Sequence, residues 1–158
     1  MLTPKFAQES YTRLQTLEAG EWVAWESHNR TTPVRKITQG HWKLKFADAT
    51  ANTYLALSAC IGAGLLGLKK KEKLRWKDFW SWCSKLSDEE RHDLGIVTRL
   101  PLTLKEAIEC LKETEEDIGE MLGASLVQRY IQLKEGEGEI LRSKEMDEVR
   151  HMYLQKIC

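Results

Sequence analysis

An α+β protein is the fold class this sequence predicts, with short antiparallel strands in the first third and mostly helix through the remaining two-thirds. Three observations predict it. Residues 41–46, His-Trp-Lys-Leu-Lys-Phe, put Trp42, Leu44 and Phe46 on one face of an extended chain and His41, Lys43 and Lys45 on the other, the period of a half-buried strand. The longest uncharged stretch follows, apolar from Tyr54 to Leu68, too short for a membrane span and read as a buried helix. Two helix-start signatures then punctuate the second half, at Ser87-Asp-Glu-Glu90 and Thr103-Leu-Lys-Glu106.

Residues 1–20 carry few periodic apolar positions and read as a loop leading into a strand at Glu21–Glu26, which is rich in strand formers. Ser27-His28-Asn29-Arg30 supplies turn chemistry, Pro33–Ile37 extends again, and Thr38-Gln39-Gly40 turns the chain into the strand at His41. Asp48 suits a helix start, and a helix is expected from about Thr50 to Leu68. Within it, Gly62-Ala-Gly-Leu-Leu-Gly67 matches a dinucleotide fingerprint letter for letter, but those glycines belong in the turn between a strand and a helix. Here they follow helical pattern, so close packing or fraying near the helix end accounts for them better. Lys69-Lys-Lys-Glu-Lys73 suits the negative end of the helix dipole and reads as a solvated helix end.

From Leu74 to Leu100 the chain is aromatic and irregular, a loop pinned to the body by Trp76, Phe79, Trp80 and Trp82, with a short helix capped by Ser87 and ended by Gly95. Thr103 caps the next helix, with Ala107, Ile108 and Leu111 as its apolar face. The helical period continues through Ile118, Met121, Leu122, Leu126, Val127, Tyr130, Ile131 and Leu133. Gly136 and Gly138, at roughly 1 kcal/mol each relative to alanine, predict a loosened segment. The stretch to Cys158 is amphipathic through Val149, Met152, Tyr153 and Ile157.

A chain of 158 residues with 42% hydrophobic residues suits one domain. Lysine plus arginine equals aspartate plus glutamate at 24 each, which gives no global steering toward nucleic acid or an anionic membrane; neither is expected as a partner. The cysteines, Cys60, Cys83, Cys110 and Cys158, form no C-x-x-C pair, and no signal-peptide pattern opens the chain, so reduced thiols in the cytoplasm are expected. If the three strands neighbour one another, Arg30, Arg35, Lys43 and Lys45 converge, as a site or as a solvated basic face.

Several motifs act together: Ser10-Tyr11-x-Arg13-Leu14; Val23-Ala24-Trp25 before Asn29-Arg30 and Arg35; His41, Phe46 and Asp48-Ala-Thr-Ala-Asn52 before Tyr54-Leu-Ala-Leu57. Leu94-Gly95-Ile96 before Leu100-Pro101, and Leu122-Gly123 before Tyr130 and Lys134, extend the set. Through them nearly the whole chain resembles the C-terminal part of the glutamine synthetase catalytic domain, particularly the branch found fused to amidohydrolase domains. The resemblance implies a single fragment of that domain over 1–158, strand-rich over 1–48 and helical over 49–158.

The family's reaction is ATP-dependent ligation of ammonia to glutamate, giving glutamine, with Mg2+ or Mn2+ as cofactor; phosphoryl transfer of this kind calls for positive charge around developing negative charge. By position the resemblance implies Arg13 for the glutamate substrate, and Arg30 and Arg35 for nucleotide and transferring phosphate. Glu18 lies near the flap glutamate, one residue short of the usual spacing. Lys43 stands where the family has an acidic metal ligand, Lys45 where it has arginine and Thr53 where it has proline. At about 4 Å and an effective dielectric near 20, each unit-charge pair is worth roughly 4 kcal/mol, so at Lys43 attraction for a divalent cation becomes repulsion. The ammonium could instead contact phosphate itself, without Lewis-acid coordination.

The family's N-terminal domain, Glu-x-Glu metal segment, metal histidine and main nucleotide-binding stretch all precede the matched region. The chain alone is therefore expected to be inactive and to bind ATP and metal unproductively. Its open strand edges favour association with full-length glutamine-synthetase-like subunits or with itself. The alternatives are a non-catalytic interaction module derived from the fold, and a nucleotide- or phosphate-binding remnant using Arg30 and Arg35.

Overall fold

The computed structural model describes residues 11, 20–28, 30–47, 51–142 and 148. The loop expected before Gly20 (Tyr11 apart), the helix start at Asp48 and the amphipathic stretch through Val149 to Ile157 lie outside the described residues. Among those described, three short strands precede five α-helices, so the chain is α+β as expected.

Trp25–Glu26 (β1), Val34–Thr38 (β2) and His41–Leu44 (β3) form one sheet in the order β1-β2-β3. The β2–β3 hairpin is antiparallel, with Val34 opposite Leu44, Arg35 opposite Lys43 and Lys36 opposite Trp42, then a register shift between Lys36 and Thr38. The expectation of antiparallel pairing throughout fails at β1, which runs parallel to β2 through Trp25–Val34 and Glu26–Arg35. No tight turn joins them, because the link is drawn away to the aromatic loop: the Ser27 N–H donates to Asp78 Oδ1 at 2.9 Å, and Thr31 Oγ1 accepts from the Cys83 N–H at 3.4 Å.

The half-buried reading of β3 is also corrected. All four of its residues are exposed, since nothing among the described residues covers this edge strand on either face; only Phe46, past its end, packs inward against Tyr11. Upstream of β1 the pairing is with the helical half. Val23 N–H donates to Thr98 O at 2.8 Å and Leu100 N–H to Glu21 O at 2.7 Å, around a bridge between Trp22 and Arg99. Ala24, Phe79, Cys83 and Ile96 form the core beneath, with Trp22, Trp76, Leu86 and Leu94 packed on it. The 74–86 loop is thus pinned by Phe79 and Trp76 as expected, while Trp80 lies outside, stacked on His28 with ring centroids 3.3 Å apart.

Helix α1, Thr53–Lys69, starts at Asn52, whose side chain accepts the Leu55 N–H at 3.1 Å. It ends with Lys71 at φ 52 while Glu72 N–H reaches Gly67 O at 2.9 Å and Lys71 N–H reaches Leu68 O at 3.1 Å, a Schellman closure that leaves no fraying. The expectation of a buried helix anchoring the core is overturned, since none of its residues is buried. Tyr54 is 85% exposed and Leu68 77%, with Leu57, Ile61 and Leu65 exposed between them. The other side of α1 packs where Gly62 meets Met121, so close packing explains that glycine. Its cationic end is paired rather than merely solvated: Lys69 with Glu120, and Lys70 with Asp117 at 2.6 Å.

After a 3-10 turn at Cys83–Lys85, helix α2, Asp88–Asp93, carries the full capping box of Ser87 and Glu90, and Gly95 at φ 77 follows its end. Helix α3, Leu104–Glu113, is capped by Thr103, but the Glu106 carboxylate accepts from Leu102 N–H at 2.9 Å rather than closing a box on Thr103. Gly123, at φ 91, divides the next run into α4, Glu115–Leu122, and α5, Ala124–Arg142. Ile108, Val127 and Ile131 form their shared core. The loosened segment expected at Gly136 and Gly138 is absent: α5 runs through both, with the buried Lys134 paired to Glu137 at 2.7 Å and Gly138 facing Leu104. Packing outweighs propensity there.

Two glycines should respond oppositely to alanine. Gly64→Ala meets open space within α1 and should raise stability by about 0.5–1 kcal/mol. Gly95→Ala would bring a methyl within 2.6 Å of Arg75 O at positive φ, and should lower stability by about 1–3 kcal/mol in urea unfolding.

Burial pushes the Tyr130 hydroxyl up to about 12 and raises Tyr11 as well. Because the folded state holds these protons more tightly than an unfolded tyrosine near 10, their contribution is intact below about pH 10 and is lost as pH rises from there. Tyr130→Phe should flatten the stability–pH curve above about pH 10, read by denaturant titration at each pH.

Candidate anion-binding face of the sheet

Paired residues on neighbouring strands project to the same side of a sheet. The register therefore lines up Glu26, Arg35 and Lys43 in one row across β1, β2 and β3, while Trp25, Lys36, Trp42 and Leu44 take the opposite face. On that second face Trp25 and Trp42 meet edge-on at 5.5 Å, with the Lys36 ammonium 6.0 Å from the Trp42 ring. Aromatic packing occupies one side and charge the other.

Along the charged row burial falls steeply. Glu26 is wholly enclosed, Arg35 is half-buried and Lys43 is exposed. The Arg35 Nε is shielded from solvent and has no hydrogen-bond partner. Next to the row, Lys45 N–H donates to Pro33 O at 2.7 Å and the Lys45 ammonium donates to the Arg30 carbonyl. Those bonds hold Lys45 and Arg30 together at the end of the hairpin. Arg35 and Lys43 are thus side by side on the hairpin, and Lys45 reaches the Arg30 backbone next to them. Among the described residues, no ion pair involves Arg35 or Lys43.

Such a face suits an oxyanion. Guanidinium forks hold two oxygens at once, ammonium groups add point charge, and a donor already desolvated at Arg35 Nε favours any acceptor that reaches it. The same donor set does not fit a divalent metal. Lysine and arginine offer no lone pair at neutral pH, and no group of three or more His, Cys, Asp or Glu among the described residues could hold one.

The profile of the glutamine synthetase catalytic domain matches residues 3–153. The chain belongs to the glutamine synthetase catalytic-domain family. It is 42% identical over 141 residues to "Protein fluG" of Emericella nidulans, spanning 88% of this chain and 16% of that protein. The glutamine synthetases of Rhizobium meliloti and Methanocaldococcus jannaschii are 31% and 32% identical, over 81% and 92% of this chain and 30% and 32% of theirs. The chain therefore spans a third or less of the length of these relatives.

Of the positions the glutamine synthetase resemblance assigned, Arg35 and Lys43 are cross-strand partners on the hairpin, Lys45 just past it bonds the Arg30 carbonyl, and Arg13 and Glu18 lie outside the described residues. Glu26 had not been singled out. In the sequence it is one of many acidic residues at a strand end, and only the parallel pairing of β1 places it beside Arg35. The signal lay in pairing, not in residue type.

Lys43→Glu would replace a like-charge cross-strand pair with an opposite-charge one facing Arg35, and should stabilise the fold by about 0.2–1 kcal/mol. Thermal unfolding at low and high salt checks it: the gain should shrink as salt screens the exposed pair.

Proposed function

We propose that this chain is a glutamine-synthetase-type module that does not ligate ammonia to glutamate by itself and works in association with a longer chain of the same family. The observation that carries this reading is the uncovered apolar side of α1, where five large side chains from Tyr54 to Leu68 stand in solvent on a helix without a single charge before Lys69. Exposed apolar surface of this kind marks an interaction site. The relatives are at least about three times as long as the stretch matched here, so further polypeptide of that family is the fitting occupant.

Family membership implies ATP and a divalent cation in the family's reaction. The cationic set at Arg35 and Lys43 opposes the metal, which supports inactivity of the isolated chain. A second reading, retention of phosphate recognition by Arg30 and Arg35, is favoured by the enclosed, unpartnered Arg35 Nε.

With glutamate, ammonia, ATP and Mg2+, the purified chain should form no glutamine; measurable turnover would overturn the inactivity. Mixed with a full-length glutamine synthetase relative, it should co-elute in size exclusion with light scattering. Ile61→Lys on the exposed face should abolish co-elution while changing stability by less than about 0.5 kcal/mol. A chain that stays monomeric beside the relative, or that only pairs with itself, would contradict this assembly.

A further inference from the structure

We infer that the outer edge of β3 takes up, by strand addition, an extended polypeptide segment in which acidic residues alternate with apolar ones. The inference is independent of the assembly through α1, so either can fail alone.

β3 is the last strand of the sheet, and one of its sides has no neighbouring strand among the described residues. Which backbone groups that edge presents follows from the pairing with β2. Lys45 N–H donates to Pro33 O at 2.7 Å, and in an antiparallel ladder the groups turned toward the neighbour recur at every second residue. Lys45 and Lys43 therefore direct their backbone groups at β2, while Trp42 and Leu44 direct theirs outward. Such an edge is a template for another strand.

The two faces beside this edge differ in chemistry. Trp42 and Leu44, 45% and 42% exposed, stand on one, with Trp25 edge-on to Trp42. Lys43 stands on the other, opposite Arg35, and Glu26 lies enclosed two strands away. Successive residues of an added strand project to alternate faces. The residue across from Lys43 is therefore best met by a carboxylate, and those across from Trp42 and Leu44 by β-branched or aromatic side chains. Main-chain hydrogen bonds supply affinity, and these side-chain positions supply selection.

The same geometry rejects a second copy of the strand. His41, Lys43 and Lys45 alternate with Trp42 and Leu44, so two β3 edges that share an apolar face set basic residues against basic residues on the other. Lysine on an open edge resists self-pairing in this way. An acidic segment turns the same repulsion into attraction.

Calorimetry and amide hydrogen exchange on the full chain with a capped peptide, Ser-Val-Glu-Val-Glu-Val-Ser, test this. The peptide should bind, and the amides of Trp42 and Leu44 should exchange at least about tenfold more slowly in its presence. A peptide with lysine in place of both glutamates should bind at least about threefold more weakly. Lys43→Glu should abolish that preference, and its unfolding curve reports that the hairpin remains folded. Leu44→Pro removes an outward N–H where an edge strand tolerates proline, and should weaken the acidic peptide at least about tenfold. Ile61→Lys on α1 should leave affinity within about twofold.

Absence of heat with the acidic peptide, binding without protection at Trp42 and Leu44, equal binding of the lysine peptide, or a preference that survives Lys43→Glu would each overturn the inference. So would protection of the same two amides by rising protein concentration alone, since the edge would then pair with a second copy.

Discussion

The hydrogen bonds from Glu21–Val23 to Thr98–Leu100 are the constraint on which the arrangement of strands and helices depends. They tie residues far apart in sequence, and the Trp22 ring supports the join through two guanidiniums, Arg91 at 4.8 Å and Arg99 at 4.7 Å. Gly20 allows a second close approach, to Thr31: at φ 76, a Cβ there would fall 2.1 Å from Thr31 O. Once this segment is fixed, Trp25 Nε1 donates to Trp76 O at 3.2 Å and β1 is held against the aromatic loop. The sheet is therefore anchored at β1 and progressively free toward β3. That gradient encloses Glu26, half-buries Arg35 and leaves Lys43 in solvent. The chemistry of the row is a consequence of where the anchoring lies.

A net charge of +0 conceals a strong local separation. In the helical part, acids and bases meet: Lys70 with Asp117, Lys112 with Glu135 and Lys134 with Glu137. On the charged face of the sheet, Arg35 and Lys43 stand in one row with a single enclosed carboxylate, Glu26. Pairs exposed to water contribute little stability each, so Lys70–Asp117 and Lys112–Glu135 say more about neutralisation than about strength. Arg35 and Lys43 are the more informative pair, because they are like charges set directly opposite one another in the register.

Local chemistry was legible in the sequence where one turn of chain carries the whole device. Ser87 with Glu90 and Thr103 with the Glu106 N–H cap helices because side chain and backbone partner lie three residues apart. The β2–β3 hairpin and the pairing of Arg35 with Lys43 were legible for a similar reason, since a short turn brings them together. What was not legible depended on distant partners. The direction of β1 is set by contacts to the 74–86 loop, and the enclosure of Glu26 follows from it. Gly136 and Gly138 read as weak points by propensity, yet tertiary contacts keep α5 continuous. For α1, the pattern gave the helix and misjudged its cover, because hydrophobicity states which side must be buried but not by what.

The apolar side of α1 and the cationic side of the sheet are governed by different physics, which makes their roles separable. Burial of Leu57, Ile61 and Leu65 by another chain would draw on the hydrophobic effect, which salt does not screen and excluded cosolvents strengthen. Attraction of an anion to Arg35 and Lys43 is electrostatic and fades as the Debye length shortens to about 3 Å near 1 M salt. Glutamine-synthetase-type ligation requires fold assembly and charge placement together. In this chain the exposed apolar side of α1 and the Arg35–Lys43 pair lie on separate elements. Salt and excluded cosolvents should therefore move the two surfaces in different directions.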